Sequence, residues 1–583
     1  MSAEDGVEEA RTVIGISFGN SYSSVAYTTP PDDKAEVIAN EEGDRQIPSI
    51  ICYVAGEEFQ GTQAKSQIVR NPRNTIAYFR DFLGKPFSEI DPTSCHASAH
   101  PVEHDGGKTV AFTVQEKETP EDGPEPEKST LTVSEVTTRH LRRLKQSAAD
   151  FLGKEVSAAV ITVPSNFSDI QKSALTEAAK NADIEVLQFI SEPIAALLAH
   201  DAKIQLADGP PAPQNQIVLV ADLGATRSDI AVVASRGGIY TTLATAHDYE
   251  LGGTNLDKVL IEYAAKEFLK KNKNASDPRE NERSLAKLTL EAEAVKKALS
   301  LGGSANFSIE SLADGIDFTL SVNRTRFELL ANKVLMSFNR LIESAVQKAD
   351  LDILDIDTVL LSGGTAHVPK VASNVQSHFP EGATVIAPST STSAINPSEL
   401  TARGAAIQAS LIGGFEQSDI KESTEAVVTV TPHLQNAIGL VTGKEGAEHF
   451  SVIVDANTPV PVRRTAQIAV KAGGDVLIKL AEGVREIKVT SEKPATNGAK
   501  ASNDSDDDDD DDEAEETREK LWEAGKSLAE VGIKDVKKGG KVEIQIDVAA
   551  DASVTIVCRE AGGKGGVRGT IEGGKAGMNG SAA

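Results

Sequence analysis

Three glycine-containing loops follow short apolar runs, and each is suited to hold part of a nucleotide. They read GISFGNSYS at 15–23, ADLGATRSD at 221–229 and LSGGTAHVPK at 361–370. A glycine after a buried strand allows a sharp turn and lets ligand oxygens approach backbone N–H groups without a Cβ in the way. Any one loop is a weak signal. Two loops that each open on a strand and lead into a return strand, as in DLGATRSDIAVVA, predict a duplicated phosphate-binding hairpin.

The elements that must position these loops are typical of an α/β protein from about Thr12 to Gly414. Helices are predicted over Ser134–Lys154 and Arg326–Asp350, the second with one apolar stripe at three- and four-residue steps. Buried strands ending in glycine or proline turns are predicted at VIGISFG (13–19), VSAAVITVP (156–164), QIVLVADLG (216–224) and DTVLLSGG (357–364). This arrangement resembles the actin-like ATPase fold, which implies a nucleotide-binding domain over 1–414.

The pattern changes after Gly414. A polar linker is predicted at 415–426, and short runs of strict alternation then indicate a small antiparallel β-sandwich domain over 427–562. The stretch at about 492–517 contains seven consecutive aspartates, 506–512, which repel one another. We interpret it as a solvated, disordered insert, with a docking segment for a basic partner as the alternative. A flexible glycine-rich tail is predicted at 563–583.

Composition excludes several classes of protein. The formal net charge of −28 argues against direct nucleic-acid binding through the bulk surface. No apolar run approaches the roughly 18 residues of a membrane span. The acidic N-terminus does not resemble a secretory signal, so a cytoplasmic location is expected. Cys52, Cys95 and Cys558 have no paired spacing and are interpreted as reduced thiols.

Many collinear motifs resemble the DnaK-like, 70-kDa heat-shock chaperones. The strongest is VITVPSNFSDIQKSALTEAAKNADIEVLQFISEPIAALLAH at 160–200, and the others fall in the same order and spacing as in that family. They are NPRNTIAYFRDFLGK, LGGTNLD, EAVKKALS, DGIDFTLSVNRTRFE, LLSGGTAHVPKV and NPSELTARGAAIQA. The resemblance implies an actin-like ATPase domain followed by a β substrate domain, with ATP as the cofactor and Mg²⁺ undecided.

The resemblance also implies roles for individual residues around a nucleotide. His367 stands where the family usually has an arginine that stacks on adenine, and a histidine can still flank a base. The matches to the two phosphate loops, the adenosine loop and the nucleoside-contacting helix are Gly19, Asn20, Ser21, Tyr22, Gly224, Ala225, Thr226, Gly252, Gly253, Gly363, Gly364, Glu293, Lys296, Lys297 and Ser300.

The hydrolytic residues of the family are only partly retained. Glu192, Asp222 and Asp229 match its acidic residues. Ser17 replaces an aspartate, Arg80 replaces the lysine that positions water, and Arg227 replaces a threonine. Extra cations can hold ground-state ATP without favouring the transition state, so we expect ATP binding with little or no hydrolysis, a degenerate catalytic set and no metal ligands.

The altered loops, together with an expected absence of a helical lid, are most similar to the fungal Ssz-type branch of the family. That resemblance implies a stable heterodimer with a zuotin-like J-domain protein in the ribosome-associated complex. It also implies contact with the ribosome and nascent chain through that partner, and stimulation of a second, hydrolysing chaperone during co-translational folding. The β domain is suited to pair an extended segment of the partner by strand addition.

Two other functions stay open on the sequence. An ATP-cycling, peptide-binding chaperone is favoured by the three retained carboxylates. A sugar or glycerol kinase on the same core is disfavoured because the chain continues into a β domain and because the connecting segment matches chaperones.

Overall fold

The computed structural model describes residues 11–29, 34–92, 98–117, 128–206, 215–392, 394–424, 433–434, 436–444, 447–492, 515–551, 553–562 and 566–571. Cys95 and the aspartate run 506–512 lie outside these residues. Cys52 and Cys558 are buried free thiols. Within the described part of the chain, no helix is both long enough and apolar enough to cross a membrane.

The first lobe of the nucleotide-binding domain is a mixed α/β unit. Its elements are β1 Val13–Phe18, β2 Tyr22–Thr29, β3 Lys34–Ile38, β4 Ile47–Pro48, β5 Ile50–Val54, β6 Glu57–Gln60, α1 Gly61–Ser66, β7 Thr75–Ala77, β8 Pro101–His104, β9 Thr109–Val114, β10 Ser129–Thr132, α2 Val133–Leu152, β11 Ala158–Val163, α3 Asp169–Asn181, β12 Glu185–Ser191 and α4 Glu192–Leu206.

The second lobe repeats the central part of the first. Its elements are β13 Asn215–Leu223, β14 Ser228–Arg236, β15 Ile239–Asp248, α5 Gly253–Lys271, α6 Glu282–Leu301, β16 Ser304–Ala313, β17 Ile316–Asn323, α7 Arg324–Lys348, β18 Thr358–Ser362, α8 Pro369–His378, β19 Thr384–Ile386, α9 Leu400–Ile412 and α10 Gln417–Thr424.

The duplication predicted from the glycine loops is visible in the sheet topology. The main path of the first sheet has the order β12-β11-β1-β2-β3, and the second sheet has the order β15-β14-β13-β18-β19. In each sheet an antiparallel hairpin (β1–β2 or β13–β14) adjoins a parallel strand (β11 or β18). The hairpin turns, which carry the first two glycine loops, therefore lie at equivalent positions of the two lobes.

Two helices, α4 and α9, cross each other, and each packs on the sheet of the other lobe. Helix α4 follows the first lobe in sequence but packs on Val218, Val220 and Val233 of the second sheet. Helix α9 follows the second lobe but packs on the first sheet, where its alanines contact β2 and β3. A Cβ on Gly404 of α9 would lie 1.8 Å from the carbonyl oxygen of Ala195 in α4, so only glycine permits this crossing.

The C-terminal domain is built from antiparallel strands, as the alternation predicts. The strands are β20 Ala437–Lys444, β21 Ala447–Val454, β22 Val462–Val470, β23 Gly474–Glu492, β24 Glu515–Val536, β25 Gly540–Val548, β26 Val554–Glu560 and β27 Gly566–Ile571. They form two sheets with the orders β21-β20-β23-β24 and β22-β25-β26-β27. Apolar residues of both sheets, such as Leu480 and Ile544, share one core.

Two segments differ from the sequence-based description. The predicted linker at 415–426 contains helix α10, because Ile420 is buried in the core formed by β11, β12, α4 and α9. The predicted flexible tail contains β27, which pairs with β26 from Val554↔Ile571 to Arg559↔Gly566. The acidic insert joins the ends of β23 and β24, and its residues 493–514 lie outside the described residues. The predicted domain boundaries themselves stay a prediction.

The β domain contacts the second lobe through two arginines. Arg485 of β23 forms an ion pair with Asp355 and donates to the Asp350 carbonyl oxygen at 3.0 Å. Arg236 of β14 donates to the Ala456 carbonyl oxygen at 3.4 Å. The two domains therefore meet through polar contacts in the described residues.

A buried histidine makes the first lobe sensitive to acid. His140 of α2 packs against Phe18 and Phe79, with ring centroids 6.0 and 5.8 Å away. Its Nε2 lies 3.1 Å from Ser23 Oγ. Burial lowers the pKa of His140 to about 4 from 6.5. Between these pH values, His140 is therefore protonated in the unfolded chain and neutral in the folded chain.

We expect the wild-type protein to lose stability as pH falls from about 6.5 to 4, at up to about 1.4 kcal/mol per pH unit from this group. His140→Gln removes the titrating group at the expense of some packing, so its deficit in Tm should shrink as the pH falls. Thermal unfolding across this pH range measures the effect, with exposed His104→Gln as the control. Parallel Tm curves for H140Q and wild type would contradict it.

Candidate functional site

A cleft of about 630 Å³ lies between the two lobes and gathers the residues that the sequence analysis singled out. Gly252 alone among them is not part of its lining. A Cβ on Gly252 would lie 2.4 Å from the Ala225 carbonyl oxygen, so this glycine allows the second loop to pack closely. The predicted residues that line the cleft are Ser17, Gly19, Asn20, Ser21, Tyr22, Arg80, Glu192, Asp222, Gly224, Ala225, Thr226, Arg227, Asp229, Gly253, Glu293, Lys296, Lys297, Ser300, Gly363, Gly364 and His367.

Ser49 stabilises the first phosphate loop, residues 15–23, through two hydrogen bonds. Its backbone N–H donates to the Ser21 carbonyl oxygen at 2.9 Å, and its Oγ donates to the Gly19 carbonyl oxygen at 2.8 Å. A Cβ at Gly19 would lie 2.1 Å from the Tyr22 carbonyl oxygen, so the turn requires glycine. Asn20 Nδ2 donates to Thr226 Oγ1 at 3.2 Å and thereby joins the first loop to the second.

The second phosphate loop is held by the start of α5 and by the third glycine loop. Gly253 N–H donates to the Gly224 carbonyl oxygen at 3.0 Å, and Thr365 Oγ1 donates to the same oxygen at 2.8 Å. Gly363 has φ +83°, and a Cβ there would lie 2.4 Å from the Leu223 carbonyl oxygen. The three loops predicted separately from the sequence therefore form one hydrogen-bonded unit.

Arg80 is buried at the phosphate end of the cleft and is tied to two carboxylates. Its Nη1 donates to Glu192 Oε1 at 3.0 Å and to the Phe18 carbonyl oxygen at 3.1 Å. Its Nε donates to Asp81 Oδ1 at 2.8 Å. The side chains of Arg80 and Glu192 are only 4% and 8% exposed. The guanidinium thus fixes Glu192 in a salt bridge that is almost inaccessible to water.

Arg227 forms the corresponding pair on the second lobe. Its Nε and Nη2 donate to the two carboxylate oxygens of Asp229, both at 2.7 Å. Nη2 also donates to Asn166 Oδ1 at 2.9 Å, which links the second lobe to the first. The Tyr249 ring lies under the guanidinium, 4.6 Å from Cζ to the ring centroid. Four contacts therefore hold the Arg227 head group in one place.

Asp222, the third acidic residue that matches the hydrolytic set of the family, keeps its carboxylate. The altered position in the first glycine loop is Ser17, which has none. Asp222 is buried, and burial together with the nearby Asp229 charge raises its pKa to about 6. Burial and the nearby Asp222 and Asp229 charges act to raise the pKa of Glu192, whereas the Arg80 guanidinium acts to lower it and favours the carboxylate of the salt bridge. Ser17 Oγ lies 2.9 Å from Thr401 Oγ1 and brings no charge. Across the described residues, no cluster of three or more His, Cys, Asp or Glu side chains is arranged to hold a metal ion.

A cluster of charges joins the two lobes at the nucleoside end of the cleft. Lys65 of α1 pairs with Glu293 of α6 at 2.6 Å and donates to the Tyr22 hydroxyl at 2.5 Å. Lys297 pairs with the other Glu293 oxygen at 2.7 Å, and the Tyr22 hydroxyl also donates to Glu293. Burial acts to raise the pKa of Glu293, but Lys65 and Lys297 outweigh it and hold that pKa below its ordinary value.

The remaining predicted nucleoside residues lie close by. Lys296 Nζ pairs with Asp257 at 2.7 Å and donates to the Gly253 carbonyl oxygen at 2.9 Å. Ser300 Oγ donates to the Lys296 carbonyl oxygen at 3.0 Å. His367 Nε2 lies 3.1 Å from both Asn396 Oδ1 and Ser398 Oγ. Burial lowers the pKa of His367, so a neutral imidazole faces the cleft at pH 7.

The sequence analysis did not identify several residues of the site. Lys65 had no local motif, because the residue that it contacts lies more than two hundred positions away. Asn166 and Tyr249 were likewise not singled out, although both hold Arg227. Asn166 falls within the family motif at 160–200, whereas Tyr249 lies two residues before the LGGTNLD motif. The available signal was the unusual arginine itself: a buried Arg227 needs partners, and a search for them would have led to Asn166 and Tyr249.

Comparison with known proteins identifies the family. The family described as Hsp70 protein matches residues 13–496. The ribosome-associated complex subunit SSZ1 of Saccharomyces cerevisiae is 43% identical over 94% of this chain and 97% of its own length. A heat shock protein 70 homolog of Schizosaccharomyces pombe is 42% identical over 96% and 95%. Heat shock 70 kDa protein 14 of Danio rerio is 33% identical over 77% and 84%.

The Lys65–Glu293 pair is expected to slow nucleotide release, because it connects the two lobes across the mouth of the cleft. Truncating Lys65 removes the ion pair between the lobes and leaves Glu293 paired with Lys297 of its own helix. We expect Lys65→Ala to speed the dissociation of a fluorescent ATP analogue by about tenfold, measured by stopped-flow displacement. Lys34→Ala, which breaks the exposed pair with Glu36, is the matched control. Equal release rates in the two variants would contradict the role of the pair.

Proposed function

The chain belongs to the Hsp70 family, and we propose that within it the protein binds ATP with little or no hydrolysis and serves as a scaffold subunit. In this proposal it pairs stably with a zuotin-like J-domain protein in a ribosome-associated complex. The pair reaches the ribosome and the nascent chain through that partner and stimulates a second, hydrolysing chaperone. A ribosome-associated, cytoplasmic location is part of the same proposal.

The observation that carries the proposal is the pairing of two buried arginines with two retained carboxylates. Arg80 engages Glu192, and Arg227 engages both oxygens of Asp229. A carboxylate that orients an attacking water needs an acceptor oxygen available to that water. A guanidinium stays protonated at any ordinary pH and cannot take or give the proton that hydrolysis moves.

The same arginines favour binding of ATP over its turnover. A rate is raised only by contacts that become stronger in the transition state than in the ground state. Arg80 and Arg227 are fixed by carboxylates, a backbone carbonyl oxygen and an aromatic ring, so their positions do not depend on the progress of a reaction. They are therefore suited to hold the charge of ground-state ATP as a structural ligand.

The partner assignment rests on the relatives and on the β domain. A relative that is 43% identical over 97% of its length is named as a subunit of the ribosome-associated complex. In the β domain, β22 lies at the edge of its sheet with Val462–Val470 paired to β25 on one side. An edge strand offers backbone N–H and C=O groups to an extended segment of another protein. Strand addition from the J-domain partner fits this geometry.

An ATP-cycling, peptide-binding chaperone is the second candidate. It is favoured by the presence of Glu192, Asp222 and Asp229 in the cleft, since these carboxylates match the hydrolytic set of the family. It requires Arg80 and Arg227 to release their carboxylates when nucleotide binds. Measurement of hydrolysis separates the two candidates directly.

Single-turnover assays with radiolabelled ATP test the absence of hydrolysis. We expect the purified protein to retain ATP while ADP forms no faster than in a protein-free control, with or without an added J-domain protein. A hydrolysing Hsp70 measured with the same J-domain protein is the positive control. J-stimulated conversion of one bound ATP per protein would contradict the proposal and favour the ATP-cycling chaperone.

Stoichiometric association tests the partner. We expect this chain and the J-domain subunit of a ribosome-associated complex to co-elute as a one-to-one heterodimer in size-exclusion chromatography. Sedimentation with ribosomes should require that subunit, because the −28 charge of this chain opposes direct RNA binding. Separate elution of the two proteins would count against the scaffold role, and so would ribosome binding by this chain alone.

A further inference from the structure

The carboxylates that a metal ion would need are already bound by arginines. Asp229 accepts from Arg227 with both oxygens at 2.7 Å, and Glu192 Oε1 accepts from Arg80 at 3.0 Å. Magnesium takes hard oxygen ligands in near-octahedral geometry, usually one or two carboxylates with waters and phosphate oxygens. Ser17 adds no charge and is hydrogen-bonded to Thr401. The residues present therefore do not fit a divalent cation.

Charge repulsion from the two arginines also argues against a divalent cation at this place. A divalent ion beside Glu192 and Asp229 would lie next to two guanidinium groups that cannot lose their charge. Both arginines are buried, with side chains 4% and 8% exposed, so water screens this repulsion poorly. Asp222 is the remaining carboxylate of the set, and it forms no ion pair with an arginine among the described contacts.

Arg227 keeps one nitrogen that no described hydrogen bond uses. Its Nε and Nη2 are used by Asp229 and Asn166, whereas no hydrogen bond between described residues uses Nη1. Arg227 lines the cleft beside Gly224, Ala225 and Thr226 of the second phosphate loop. A guanidinium has five N–H donors in a rigid plane, so one edge can hold a carboxylate while another contacts a phosphate.

We propose that Arg80 and Arg227 are built-in counter-cations for the phosphates, so that the cleft binds ATP without a divalent metal ion. This inference rests on the proposed function, in which ATP is the ligand. Asp229, Asn166 and Tyr249 are positioning residues in this arrangement, because they hold the guanidinium of Arg227 and do not themselves contact phosphate.

Calorimetric titration of the full-length, nucleotide-free protein with ATP tests the inference. One titration contains excess Mg²⁺ and the other contains EDTA. We expect ATP to bind in EDTA at least as tightly as in excess Mg²⁺, because a cleft that excludes the ion must compete with Mg²⁺ for the ATP phosphates. A weakening of more than about tenfold on chelation would overturn the inference. Binding in Mg²⁺ alone overturns the inference and leaves the proposed function intact. No binding in either condition overturns both.

Substitution of Arg227 supplies a second readout. Arg227→Thr removes the cation and exposes the oxygens of Asp229. We expect its Kd for ATP in EDTA to weaken by about tenfold or more and to recover in part with Mg²⁺. Arg463→Ala, which breaks an exposed ion pair with Asp547 in the β domain, is the matched control and should match wild type in both conditions. Wild-type affinity of R227T in EDTA would overturn the inference.

A spectroscopic measurement does not depend on any variant. Mn²⁺ replaces Mg²⁺ in ATP complexes, and its electron paramagnetic resonance signal changes when the ion becomes immobilised on a protein. We expect stoichiometric wild-type protein to add no signal from immobilised Mn²⁺. The protein should remove ATP from solution and leave the ion behind. A protein-immobilised Mn²⁺ signal that requires ATP would overturn the inference.

Discussion

Two guanidinium–carboxylate pairs, Arg80 with Glu192 and Arg227 with Asp229, are the interactions on which the centre of the protein depends. Each pair places charges where water hardly reaches. A buried charge that loses its partner costs several kcal/mol, so neither arginine nor carboxylate can change alone without penalty. The pairs also sit on opposite lobes. The first two glycine loops are consequently flanked by a buried ion pair on each lobe.

The rest of the cleft extends this constraint to the whole nucleotide-binding domain. Hydrogen bonds connect the three glycine loops, and Lys65 with Glu293 connects the lobes at the other end. A ligand that contacts every one of these parts stabilises them together. The contribution is RT ln(1 + [L]/Kd), or about 2.7 kcal/mol at a hundredfold excess over Kd. If ATP binds there as proposed, it acts through this contribution as a structural component of the protein.

Local pattern predicted the main elements and the glycine loops, because a glycine turn after a buried strand is encoded within about ten positions. The duplicated sheet topology followed from two such turns. The individual cleft residues were predicted from the resemblance to the DnaK-like family. Helix α10 was missed since its burial depends on Ile420 reaching a core built from distant strands. The partners of Arg80 and Arg227 were not predicted for the same reason: residue type shows that a cation is present, whereas only the fold shows what neutralises it.

The crossing of α4 and α9 at Gly404 has a mechanical consequence. Each helix packs on the sheet of the other lobe, and their backbones touch where a methyl group would not fit. The crossing therefore joins the two lobes at a backbone contact. A single methyl group inserted there would overlap the Ala195 carbonyl oxygen and force the two helices, and the sheets on which they pack, to separate.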